Sequence, residues 1–271
     1  MKVFCIFSDE RAFRSRSPRM FTRVLQSQGI RGAYVPFRIR PEHLGQAIQS
    51  LRILNIEGAN ITVPYKEKVI PYLDILSEGA NIIGAVNTIV RNGDQLKGYN
   101  TNAIGIMDAL ADAGFDAEGK SGLIFGTGGA ARAAAFILSW LRTDQVFLYG
   151  RNPEKASAVA SHFGGTVVSA DRLRRSPLDV SIVVNATSVS SPDESAGLTA
   201  LAWDLELPAC ELVLDLNYGH PENLWEELAG RQDIRFMDGL RPLAYQARRT
   251  FALWTRLQVP PETFIKAING P

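Results

Sequence analysis

Cysteine, histidine and net charge are all scarce in this chain, and each shortage closes off a class of function. The two cysteines, Cys5 and Cys210, lie far apart without metal-ligand spacing, which fits a reducing compartment and argues against a disulfide framework. Three scattered histidines, His43, His162 and His220, build no metal site and offer no obvious general base. With 29 Lys and Arg against 28 Asp and Glu, the net charge of +1 gives no global field for nucleic acid or an anionic membrane. The short basic spots Arg14, Arg16, Arg19 and Arg172, Arg174, Arg175 read as solvated faces. No apolar run approaches membrane-spanning length, and the opening MKVFCIF is too short and too soon polar for a signal peptide; it reads as a first strand. What remains is the expectation of a soluble cytoplasmic protein of enzyme size. Its 271 residues, 46% of them hydrophobic, suffice for one large or two small domains.

Strand-like and helical runs alternate from the start. Residues 3–8, 32–36 and 58–63 read as strands, with helical patterns at 18–28 and 42–54 between them, which predicts a parallel sheet covered by helices. Two short strands, 85–91 and 95–98, flank Asn92-Gly93-Asp94, a hairpin signal, and a helix over 102–113 follows. A second series opens at Ser121, with strands at 122–125, 146–149, 180–184, 212–216 and 235–237 and helices at 130–141 and 154–163. Helices at 243–257 and 260–267 close the chain. The expected fold class is α/β, with one domain over 1–101 and 240–271 and a second over 102–239.

Two segments carry chemistry. GANITVPYKEK, residues 58–68, sets Asn60 and Thr62 on one face of a strand and Lys66 just past its end, a cationic cluster suited to a polyhydroxylated ligand and a mobile proton. A strand running from the core into a charged surface segment would give the same pattern. Gly126-Thr127-Gly128-Gly129-Ala130-Ala131, after a predicted strand and opening a predicted helix, fits the dinucleotide fingerprint; a tight turn without a ligand is the plain alternative. An NAD site would place an acid at the end of the next strand. Here Tyr149 is followed by Gly150-Arg151-Asn152-Pro153-Glu154-Lys155, where Arg151, helped by Lys155, is placed to pair with a 2′-phosphate. NADP is therefore expected, unless Arg151 is a plain surface residue.

Taken in order, several segments resemble one family, the shikimate dehydrogenases and their quinate-using and uncharacterised relatives. These are Ser15-Arg16-Ser17-Pro18, Asn60-Ile61-Thr62-Val63-Pro64-Tyr65-Lys66-Glu67, Gly84-Ala85-Val86-Asn87-Thr88 and Gly98-Tyr99-Asn100-Thr101, then the Gly126 loop, the Arg151 segment, Asn185-Ala186-Thr187-Ser188 and Gln246-Ala247. The resemblance implies an N-terminal α/β substrate domain, a Rossmann NADP domain, and C-terminal helices returning to the first. It implies reversible, NADP-dependent reduction of 3-dehydroshikimate or a close analogue in aromatic amino acid biosynthesis. Lys66 would be catalytic, with Asn102 beside it. Ser15, Ser17, Asn60, Thr62, Asn87, Tyr218 and Gln246 would bind substrate. Gly126, Thr127, Gly128, Gly129, Ala130, Arg151, Asn152, Lys155, Thr187 and Gly239 would bind the cofactor. Ser15 and Ser17, read as one strand-face apart, could each donate a hydroxyl hydrogen to a carboxylate.

Three positions depart from the family pattern. Asn102 stands where the family has an aspartate paired with the lysine, which should lower the Lys66 pKa and loosen its positioning. Arg14 replaces a common histidine, and Pro242 a methionine near the nicotinamide. These departures keep other readings open: a shifted substrate such as quinate or an amino-substituted ring, or a catalytically weak NADPH-binding regulator. Folate dehydrogenases and other Rossmann enzymes leave the paired serines unexplained. The expected partner is a small carboxylated polyol, with neither nucleic acid nor membrane, and the expected assembly a monomer or homodimer.

Overall fold

Short apolar strands alternate with helices throughout this computed structural model, which describes residues 1–269. The first stretch runs β1 (Lys2–Ser8), α1 (Ser17–Ser27), β2 (Gly32–Arg38), α2 (Leu44–Ile53), β3 (Gly58–Ile61) and β4 (Ile75–Leu76). It continues through α3 (Glu78–Ile83), β5 (Thr88–Asn92), β6 (Gln95–Tyr99) and α4 (Thr101–Asp112). A second stretch holds β7 (Ser121–Phe125), α5 (Gly129–Trp140), β8 (Gln145–Tyr149), α6 (Pro153–Phe163), β9 (Thr166–Val167) and α7 (Ala170–Arg175). Then come β10 (Ile182–Asn185), α8 (Ala196–Asp204), β11 (Leu212–Asp215), α9 (Leu224–Arg231) and β12 (Arg235–Met237), followed by α10 (Leu240–Thr255) and α11 (Pro261–Asn269). The chain forms two compact units, Met1–Gly105 with the segment from Leu243 onward, and Ile106–Pro242. Both divisions fall inside helices, α4 and α10. Among the described residues no helix is long and apolar enough to cross a membrane.

The second unit is built on an all-parallel sheet ordered β12-β11-β10-β7-β8-β9. Its central strands are apolar on both faces, as burial beneath two helical layers requires. This is the doubly wound dinucleotide order, with β7 and β10 neighbours at the point where the winding reverses. The register lines up the last residues of four strands in one row: Tyr149, Phe125, Asn185 and Asp215. Helices α7, α8 and α9 escaped the periodicity reading because they are short, but their caps were readable: Ser169, Ser195 and Asn223 each accept a backbone N–H of the following turn.

The first unit has a mixed sheet, ordered β2-β1-β3-β5-β6-β4. The expected parallel sheet holds for β1, β2 and β3. Beyond them β5 runs antiparallel to β3, and β6 runs antiparallel to β5 because the Asn92-Gly93-Asp94 turn reverses the chain in two residues, Gly93 supplying φ of 60°. β3 also stops at Ile61, two residues short of the expected end, where the Thr62 N–H turns to the Phe7 carbonyl and the Tyr65 N–H to that of Thr62.

α10 and α11 belong to this unit. Trp254 of α10 stacks on Phe4 of β1 with ring centroids 4.6 Å apart and donates its indole N–H to the Ile89 carbonyl at 2.9 Å. Phe264 of α11 meets Phe21 and Phe251 edge-on, and Arg23 of α1 donates to the Ala267 carbonyl. Gly58 is what admits the indole, since a Cβ there would lie 2.1 Å from Trp254 Nε1. Gly58→Ala should therefore destabilise the protein by about 2 kcal/mol through overpacking. Urea denaturation checks this, and an unchanged midpoint would mean that α10 shifts freely.

Candidate active site

Buried amides and hydroxyls, with no charged group among them, tie β2, β3, β5, α4 and α10 together in the first unit. Asn60 of β3 accepts from the Tyr34 hydroxyl at 2.8 Å and donates to the Asn87 carbonyl and Thr88 Oγ1. Both of its hydrogens are therefore committed internally. Three threonine hydroxyls, Thr88, Thr101 and Thr250, lie within 3.1 Å of one another, all but excluded from solvent. Asn100 caps α4, its Oδ1 accepting from the Ala103 N–H.

One backbone bond sets the polarity of this network. The Thr101 N–H, which can only donate, reaches Asn87 Oδ1 at 2.7 Å. The Asn87 amide is thereby fixed with its nitrogen toward Thr101 Oγ1, Asn102 Oδ1 and Gln246 Oε1, at 2.9, 2.8 and 3.1 Å. Those oxygens must accept, so Asn102 and Gln246 each turn their carbonyl to Asn87 and keep their NH2 groups as the outward ends. Asn102 thus offers a donor at its outward end.

Lys66 lies in the loop after β3. Its carbonyl accepts from the Val86 N–H at 2.7 Å, one residue from Asn87, and Tyr65 anchors the loop, fully buried with its hydroxyl on the Ile39 carbonyl. Glu67 and Lys68 are exposed, Thr62 and Lys66 half-buried. Among the described residues no carboxylate pairs with the Lys66 ammonium. Burial alone pushes its pKa down from 10.5 to about 8.

The paired serines are not on a strand. Ser15 is extended, but Arg16 turns helical (φ −78°, ψ −12°) and Ser17 is the first residue of α1, because Pro18 favours a helix start. Ser15 Oγ accepts from the Ser17 N–H at 3.2 Å. The two hydroxyls therefore sit at a helix N-terminus, which itself favours an anion. Arg14 is exposed in the preceding turn.

In the second unit the glycine loop joins β7 to α5. Gly126 has φ of 117°, and a Cβ on it would lie 2.8 Å from the Ala186 carbonyl. A Cβ on Gly128, which precedes α5, would meet nothing within 4 Å. Thr127 and Ala130 are half-buried and Gly129 buried at the helix start. At the end of β8, Gly150 makes room for Thr127, whose Cγ2 would lie 2.4 Å from a Cβ there. Arg151 and Lys155 are exposed, and among the described residues neither forms an ion pair. Asn152 caps α6 by accepting from the Lys155 N–H. The Thr187 hydroxyl donates to Asn185 Oδ1 at 2.7 Å. Tyr218 lies half-buried in the loop after β11. Gly239 donates its N–H to the Asn217 carbonyl, and a Cβ on it would sit 2.4 Å from the Leu216 carbonyl.

Residues 11–89 match the family profile described as the shikimate dehydrogenase substrate binding domain. A shikimate dehydrogenase (NADP(+)) of Halothermothrix orenii is 38% identical over 94% of this chain and 91% of that protein. The chain belongs to the shikimate dehydrogenase family. The crystal structure of the Aquifex aeolicus shikimate dehydrogenase superposes with a TM-score of 0.88 at 30% identity, covering 99% of this chain and 98% of that one. That of the Thermus thermophilus enzyme, in complex with NADP(H) and shikimate, has a TM-score of 0.86 at 31% identity over the same shares of the two chains.

Within this family frame, Lys66, Asn87, Asn102 and Gln246 share one bonded neighbourhood, and the Gly126 loop, Thr187 and Gly239 another. Sequence reading missed Tyr34 and Thr250 and gave no role to Thr88 and Thr101, although both stand in the quoted segments; the spacing of Gln246 and Thr250, four apart on α10, was the available signal for the last. It also missed Asp215 and Ser190. Pro242, in the first turn of α10, removes no helical hydrogen bond. The Lys66 ammonium should titrate near pH 8, read by 13C NMR of ε-labelled lysine against Lys66→Met to assign the resonance. A midpoint at the ordinary 10.5 would refute the desolvated setting.

Proposed function

We propose that this chain is an NADP-dependent shikimate dehydrogenase, reversibly reducing 3-dehydroshikimate to shikimate or a close analogue. The observation that carries the reading is Lys66, a desolvated lysine with its pKa lowered to about 8, whose loop is bonded beside the Asn87 network. An amine near that value can both take and give a proton at physiological pH.

The residues present fit the cofactor. Gly126 lets the loop close against Ala186, and the open space at Gly128 admits a pyrophosphate onto the α5 N-terminus. We assign Gly126, Thr127, Gly128, Gly129 and Ala130 to the pyrophosphate and Arg151 and Lys155 to the 2′-phosphate. Asn152 orients that segment by capping α6, and Thr187 and Gly239 hold the nicotinamide side. Bound NADP supplies or takes up the hydride at the ring carbon.

The chain's own residues handle the rest. Lys66 takes the proton of the ring hydroxyl during oxidation and returns it during reduction. Ser15 and Ser17 donate to the ring carboxylate at the head of α1. Thr62, Tyr218 and the outward NH2 groups of Asn102 and Gln246 bind ring oxygens. Asn60 and Asn87 act mainly by holding those groups in place, their hydrogens being committed inside the network. We place the protein in the cytoplasm, as a monomer or homodimer.

The test is NADP-linked absorbance change with shikimate, then quinate. Turnover on the order of 1–1000 per second with shikimate supports the reading. NADPH binding without turnover on either ring would favour the regulatory alternative, whose one support is Asn102. Asn102→Asp should raise shikimate turnover, by about tenfold if the carboxylate restores the lysine's position. It should also move the Lys66 midpoint upward by about one unit; a loss of turnover would show a site rebuilt for another ring. Arg151→Ala should raise the Kd for NADPH by about tenfold and leave NADH within about twofold. Equal effects on the two would remove the 2′-phosphate assignment.

A further inference from the structure

Asp215, at the end of β11, is fully buried and accepts five hydrogen bonds with no cation among them. Oδ1 takes Asn185 Nδ2 at 2.8 Å, the Asn217 N–H at 3.0 Å and Asn217 Nδ2 at 3.1 Å. Oδ2 takes Ser190 Oγ at 2.6 Å and Asn223 Nδ2 at 2.9 Å. A buried carboxylate is costly, and the fold keeps it by surrounding it with donors.

The donors lead outward to three segments. Asn185 Oδ1 receives the Thr187 N–H and hydroxyl, fixing the turn whose Ala186 carbonyl abuts Gly126. Asn217 Nδ2 donates to the Thr187 carbonyl and to Ser190 Oγ, and the Asn217 carbonyl receives the Gly239 N–H. Tyr218 is the next residue. The segments carrying Thr187, Tyr218 and Gly239 are thus all tied to one carboxylate. They follow β10, β11 and β12, the three strands on one side of the point where the winding of the sheet reverses, outside the carboxyl ends where such sheets bind ligands.

We infer that Asp215 is a positioning residue for the nicotinamide side of the cofactor site, holding the loops after β10 and β11 and the Gly239 turn in their binding shape. The inference rests on the dehydrogenase reading. A carboxylate suits the position and an amide does not, because an amide would turn an NH2 toward one of the two donor sets. The glycine loop and Arg151, which meet the other half of the dinucleotide, make no bond to it.

The experiment compares NADPH with 2′,5′-ADP, which carries the 2′-phosphate but no nicotinamide, by calorimetric titration of the full chain and its Asp215→Asn and Ser190→Ala variants. Asp215→Asn should raise the Kd for NADPH by about tenfold or more, with 2′,5′-ADP within about twofold. Ser190→Ala, which removes one donor and keeps the charge, should shift NADPH in the same direction by about threefold and carries the test if the first variant does not fold. Parallel weakening of both ligands would mean general damage to the unit, and unchanged NADPH binding would mean that the loops hold their shape unaided; either overturns the inference. NADPH binding by the unaltered chain tests the dehydrogenase reading separately.

Discussion

The bond from the Thr101 backbone N–H to Asn87 Oδ1 is the constraint from which the substrate-side geometry follows. A backbone N–H cannot reverse its role, whereas an amide side chain can be flipped. Once Asn87 is oriented, Asn102 and Gln246 have one arrangement that leaves no donor facing a donor. A buried polar group left unpaired costs about 1–3 kcal/mol, so a flip at any member is paid several times over along the network. That makes the cluster rigid without any charge. Rigidity matters here because an uncharged amide at position 102 cannot pull an ammonium into place, and the loop carrying Lys66 must be held by backbone and core contacts instead. The Val86–Lys66 bond and the buried Tyr65 ring provide them.

The second unit solves the matching problem with the opposite chemistry. Its hub is a carboxyl group with no basic side chain among its partners, held by amide, hydroxyl and backbone donors. A carboxylate has about four lone-pair sites, so it can gather donors from several loops at once, whereas an amide needs donors on one end and acceptors on the other. Both hubs lie where strands end. There the ladder of backbone bonds stops, and side chains must take over the job of fixing the chain.

Much of this was legible in the sequence, for physical reasons that differ by residue. The all-parallel second sheet could be read because its strands are short continuous apolar runs, and Gly126 because only glycine fits its backbone and its contact with Ala186. The mixed character of the first sheet was present in Asn92-Gly93-Asp94, a turn that cannot serve a parallel connection, although the helix alternation upstream pointed the other way. Ser15 and Ser17 were placed on a strand because alternate spacing was given more weight than Pro18, which starts a helix one residue later. Tyr34 and Thr250 were invisible because a buried threonine or tyrosine looks like any strand or helix residue until its partners, far away in the chain, are known. Asp215 was hidden for the same reason, its donors lying up to 30 residues away.

At the lysine two effects oppose each other: burial lowers its pKa, and a neighbouring carboxylate would raise it. Among the described residues no carboxylate pairs with Lys66, so only the first operates, and the value falls to about 8. At pH 7 a group of that pKa is neutral in about one molecule in ten, against about one in three thousand at 10.5. Most of that difference is the work of burial; a neighbouring carboxylate that raised the value by about one unit would cut the free base by about tenfold while helping to aim the ammonium. Against a gain of about tenfold stands positioning, since a misplacement of about 1 Å can cost about a hundredfold. The Val86 bond fastens the Lys66 backbone, but among the described residues no carboxylate meets its ammonium, so the loss of aim outweighs the gain in free base.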